Sequence, residues 1–195
     1  MFPFLTIFII FILVLTYHIK KNDAAQAKVQ EEFWEKERRS NAVRKQDISK
    51  LDYITIPFEK IPQKLHTPTE EAFFAFGDKQ MLNLTGISNT DLKLQYGTAN
   101  LEVLSKCDTN FSDMIALLPE YTLELLEAGQ EASAKDLLEF AISHNADSRK
   151  IYRQLADIYR SHQDTASLEK LQEASKALPE LTRLAVQKDL SFDHT

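Results

Sequence analysis

The sequence predicts an all-α protein in four stretches. These are an N-terminal transmembrane helix (1–19), a charged helical juxtamembrane stalk (20–47), an extended Pro-containing strap (48–66) and a helical domain of stacked antiparallel helix pairs (67–195). Three observations carry this. Residues 2–19, "FPFLTIFIIFILVLTYHI", contain no Asp, Glu, Lys or Arg. From Asn22 to Asp47 there is neither Gly nor Pro, and Ala, Glu, Lys, Gln and Arg, all good helix formers, dominate. Beyond Thr67 the apolar residues recur at spacings of three and four, interrupted by short breaks rich in Gly, Asn, Ser or Pro.

The apolar run comes first. As a helix its eighteen residues rise about 27 Å, close to the ~30 Å of a hydrocarbon core, with Tyr17 and His18 at the level of an interface. The rival reading is a cleaved signal peptide, since "AQA" at 25–27 has the form of a cleavage site. Against it, no Lys or Arg precedes the run, and the site lies behind the charged "KKND". A retained anchor in the lipid bilayer through residues 2–19 is the expectation. Lys20, Lys21, Lys28, Arg38 and Arg39 all follow the run, which predicts a single-pass protein of the cell membrane with its domain on the cytoplasmic side.

The stalk's charges can pair at helical spacing, Glu32 with Lys36 and Glu35 with Arg39. Val29, Phe33 and Trp34 are too few for a heptad seam, so a solvated helix is expected, with a partner-docking helix as the alternative. In the strap, Ile54, Ile56 and Phe58 alternate, while Pro57, Pro62 and Pro68 forbid a long helix and demote any strand to an edge. Its apolar side chains are expected to pack on the helical domain.

That domain opens at Thr67, a capping residue, with Pro68 in the first turn and Glu70 and Glu71 at the positive helix end. A second helix is predicted from Asn89 or Thr90 as cap, with Leu92, Tyr96, Ala99 and Val103 as its stripe and Gly97 inside it. From Phe111 helices of three to four turns continue, broken at Gly129, at "HNADS" (144–148), at "SHQDTAS" (161–167) and at Pro179.

Composition narrows the function. The chain has 195 residues and a net charge of −6. From Gln63 onward thirteen Lys/Arg face twenty-one Asp/Glu, a balance of −8 that repels phosphate backbones and argues against nucleic acid. The single cysteine, Cys107, rules out an intrachain disulfide and is expected to be a buried apolar residue. The histidines at 18, 66, 144, 162 and 194 have no ligand spacing, so no metal is expected, and no cofactor either. No nucleophile, base and orienting group come together in sequence, so an enzyme is not expected.

Two stretches remain as candidate sites. Asn83–Asn100 packs three Asn, three Thr, two Gly and a Ser into eighteen residues. One reading is punctuation, a helix end followed by a helix cap. The other is a ligand loop, Thr85, Gly86, Ser88 and Asn89, whose exposed amides would bind a small anion, although Asp91 works against one. The second stretch is a helix face: Lys150, Arg153, Asp157 and Arg160 at spacings of three, four and three.

The C-terminal part resembles tetratricopeptide repeats, paired helices of about 34 residues. Tyr152, Leu155, Ala156 and Tyr159 match the first helix of such a unit, and Leu171, Ala174 and Pro179 the second. Gly129, Ala134, Leu138 and Ala141 match the preceding unit, and Ala141 and Ala174 lie 33 residues apart. The resemblance spans 117–190, with "LTRLAVQKDL" as a capping helix. It implies that Lys150, Arg153, Asp157 and Arg160 line a concave groove and hold carboxylates of an unidentified protein or peptide partner. The functional expectation is therefore a membrane-anchored interaction scaffold or regulatory subunit. The alternative is a membrane-tethered sensor binding a small anion at the 83–91 loop.

Overall fold

A computed structural model describes residues 2–61 and 64–191; Pro62 and His194 fall outside them. The regular structure of the described residues is all helix, with no strand. The α-helices are α1 (Phe2–Asn41), α2 (Pro68–Phe74), α3 (Asn89–Tyr96), α4 (Leu101–Glu127), α5 (Glu131–Ser143), α6 (Arg149–Ser161), α7 (Thr165–Ser175) and α8 (Glu180–Ser191). They form two compact units, one combining the chain up to Ser49 with Ile87–Leu101, the other combining Lys50–Gly86 with the chain from Glu102.

In the first unit, α1 runs unbroken for 40 residues, so the apolar run and the stalk are one helix about 60 Å long. It is long and apolar enough to cross a membrane, and none of its apolar window is buried. The expected stalk pairs Glu32–Lys36 and Glu35–Arg39 do not form; Lys28 and Glu32 meet at 3.9 Å instead. The stalk's last turns are not simply solvated. Glu37 accepts from Lys93 Nζ at 2.6 Å and is also bonded by the Thr90 hydroxyl, Lys36 meets Asp91 at 2.7 Å, and Ser40 is fully buried. Six of the seven positions from Lys36 on are polar, which suits pairing with α3 rather than an apolar seam.

The predicted long helix across Gly97 is two elements. α3 ends at Tyr96, and Gly97, at φ +85°, lies where an added Cβ would be 2.4 Å from the Arg44 carbonyl oxygen. The Asn100 amide then donates to the Gln46 and Tyr96 carbonyls at 2.8 and 2.7 Å, tying the chain after α1 to the end of α3. The cap of α3 is Ser88, not Asn89 or Thr90.

The second unit holds the main core. The strap is extended and turns once in a 3-10 turn at Phe58–Lys60 instead of forming an edge strand. Ile54, Ile56 and Ile61 are buried in the same apolar cluster as α4 to α7, and Phe58 stacks on Phe74 at 4.6 Å. Thr67 caps α2 and Pro68 opens it, as local sequence dictates. α4 corrects the expectation of three- to four-turn helices: it runs 27 residues, straight through Pro119. Pro119 removes the ladder bond to Ile115 O, and close by Thr122 Oγ1 donates to Leu118 O at 2.9 Å and Gln154 Nε2 to Pro119 O at 2.9 Å. α5 to α8 follow as helices of 11 to 13 residues on short turns, α6 packing on α5, α7 and α8. Ala134, Ala141 and Ala156, all fully buried, allow close helix approach.

Candidate functional site

The two candidate stretches meet different fates. Ser88 Oγ accepts from Asp91 N and donates to Asp91 Oδ2 at 2.6 Å, and Asn89 is simply the exposed first residue of α3. Both are spent on the start of a helix whose N-terminus already carries its own carboxylate. Thr85 and Gly86 end the second unit's loop, which is fastened to the turn between α5 and α6. Asn83 Nδ2 donates to the carbonyls of His144 and Asn145 at 2.7 and 3.1 Å, and Asn83 Oδ1 accepts from Thr85 N at 3.0 Å. Leu84 N donates to Asp108 Oδ1 at 2.8 Å. The turn on the other side is equally fixed: Asn145 takes φ +57° and Ala146 N returns to Ala141 O at 3.0 Å, closing the end of α5.

Between these loops lies a hollow of about 520 Å³. Thr85, Gly86, Asn145 and Asp147 form its polar rim, Leu178 and Pro179 an apolar wall, and Tyr152 lines it from α6. A second hollow of about 300 Å³, bounded by Ser112 and Ala116 of α4, shares Thr85 and Asp147 as walls. Tyr152 is 2% exposed, yet among the described residues its hydroxyl meets no hydrogen-bond partner. Burial, and then the Asp147 carboxylate, push this phenol up to about 12, so it stays protonated. Local sequence signals could not have assembled this hollow. Asn83 and His144 are 61 residues apart, and "HNADS" reads only as a break.

The expected partner face is only partly free. Lys150 and Arg153 are exposed on α6. Arg160 donates to the carbonyls of Asp189 and Leu190 at 3.0 and 3.1 Å and pairs with Asp157 at 3.2 Å. Arg149, which the sequence reading passed over, grips the Asp189 carboxylate with two bonds of 2.7 and 2.6 Å. The end of α8 therefore lies against the cationic face, where its free carbonyls and negative dipole end are best met by arginine. The Arg149 guanidinium holds the Asp189 carboxyl below the usual range, with Arg153 and Lys188 assisting.

Cys107 is buried, and burial pushes its thiol up, away from the reactive thiolate. Among the described residues no three His, Cys, Asp or Glu side chains are grouped as metal ligands are. No protein-family model, curated protein or solved structure matches the chain significantly.

Proposed function

We propose that the protein is a single-pass membrane-anchored scaffold that holds a protein partner at the cytoplasmic face of the cell membrane through a helical-repeat surface. The observation that carries this reading is α1. Its apolar residues are exposed all round the helix, Phe4 at 85% and Leu13 at 64%, a surface that water penalises and lipid accepts. The stretch is followed by Lys20, Lys21 and Lys28, which favours the cytoplasmic orientation. The tetratricopeptide-like reading draws support from α5 to α8, short helices on tight turns whose alanines lie at the contacts. Lys150 and Arg153 are the cations of the α6 face left for a partner, since Arg160 and Asp157 serve the fold.

The test is affinity purification of full-length protein from membranes in mild detergent. A defined protein is expected to co-purify and to be lost when Lys150 and Arg153 are both replaced by Glu. Recovery of the protein free in the soluble fraction would overturn the reading. The anion-sensor alternative draws no support from the geometry, because Ser88 is engaged by Asp91 and the hollow beside Thr85 carries a carboxylate rather than a cation.

A further inference from the structure

We propose that the hollow between the 83–86 loop and the α5–α6 turn is a docking groove for an extended peptide segment, and that it receives a lysine side chain at Asp147 and Tyr152. This deepens the scaffold reading, on which it rests, by naming the chemistry of the partner.

Asp147 is the single charged residue lining either hollow. It is exposed, and among the described residues no cation pairs with it and no hydrogen bond uses its carboxylate. Capping does not account for it, because the cap position of α6 is Ser148 and no side chain bonds the α6 amides there. Tyr152 adds a second open valence. The one fully enclosed side-chain polar atom without a partner among the described residues is Gln130 Oε1, so the Tyr152 hydroxyl, equally unpartnered, keeps its contact with the hollow.

The Asp147 carboxylate accepts only, and the phenol oxygen, the Thr85 hydroxyl and the Asn145 amide oxygen can each accept beside it. An ammonium has three donors and no acceptor, so it satisfies such a set, while the Leu178 and Pro179 wall covers the four-carbon stem of a lysine. A carboxylate or phosphate would meet Asp147 and be repelled. The extent of the site favours a peptide over a free amine, because the two hollows adjoin at Thr85 and Asp147, which line both, and together reach from α4 to the turn before α8. The rim is held by the Asn83 and Asp108 bonds before any ligand arrives, which limits the ordering cost of binding.

Full-length protein in lipid nanodiscs would be titrated with fluorescent, acetylated and amidated octapeptide pools. Lysine or glutamate is fixed at the centre, and the flanks are randomised over small and apolar residues. The lysine pool is expected to bind at least about tenfold tighter than the glutamate pool, and Asp147→Asn to weaken it about tenfold. Tyr152→Phe is expected to weaken it about threefold without lowering the melting temperature, because the hydroxyl has no partner in the fold. Equal binding of the two pools, no binding of either, or an Asp147→Asn variant that binds as the parent does would each overturn the proposal. So would butylammonium chloride that displaces the lysine pool at the concentration of unlabelled peptide, since the site would then take an amine rather than a segment. Co-purification of a partner does not read Asp147, so the scaffold reading and this one fail separately.

Discussion

At the scale of single residues, the strongest statement concerns Glu70. It is 4% exposed, yet its carboxylate accepts from the amides of Leu65 and His66 at 3.0 and 2.9 Å and from the Tyr121 hydroxyl at 3.0 Å. Burial pushes the carboxyl up, but these donors outweigh it and leave it below the usual range. The bonds pin the end of the strap to α2 and α4. Glu70→Gln swaps one acceptor oxygen for an amide facing a donor, so it should cost roughly 1–3 kcal/mol and lower the melting temperature of the full-length protein; an unchanged melt would refute the clamp. A paired contrast comes from two glycines with the same backbone sign. Gly97→Ala drives a Cβ into the Arg44 backbone and should open the 41–50 segment to proteolysis, whereas Gly86→Ala, at φ +84° with open space, should cost only about 1 kcal/mol. The cap at Thr67 and the proline after it were legible because they act within a turn. The Tyr121 bond to Glu70, 51 residues away, was not.

At the scale of elements, α8 changes the meaning of the α6 face. The spacing of Lys150, Arg153, Asp157 and Arg160 does place them on one side of a helix, but period alone cannot say what covers that side. Here it is α8 of the same chain, gripped by Arg149 and Arg160. Asp189 is charged more readily in the fold than in the unfolded chain, so its contribution is complete above the ordinary aspartate pKa of about 3.9 and is lost as pH falls through its depressed value. Hydrogen exchange should therefore show α8 amides losing protection on acidification through that window. Asp189→Asn should flatten the dependence at α8 while α2, held by Glu70, keeps its own. A slope at α8 unchanged by the substitution would mean that another group controls the contact. The missed length of α4 has a similar cause. Proline disfavours a helix interior, but tertiary context overrides it here, and Gln154, which donates to the Pro119 carbonyl, comes from a helix far along the chain.

At the scale of the whole molecule, the chain combines an acidic helical unit with an apolar helix that nothing in its own unit covers. The apolar run and its cationic flank were legible because length and composition alone decide them; the hollow was not, because three separate loops build it. The membrane prediction follows from the same arithmetic. A helix exposing Phe4, Ile7, Phe8 and Phe11 cannot stay dissolved as a monomer, so full-length protein should remain in the pellet after alkaline carbonate extraction and leave it only with detergent. Shortening the chain to begin at Lys20 should release it, since Lys20 to Gln30 expose mainly polar side chains. Orientation is tested separately: protease added to intact cells should spare the body, and digestion begins only when the membrane is opened. Inserting five lysines before Phe2 would offset Lys20, Lys21, Lys28, Arg38 and Arg39 and should produce a mixed population. If the body were cleaved in intact cells from the start, the flanking cations would not be what orients this helix, and the partner would have to be sought on the other face.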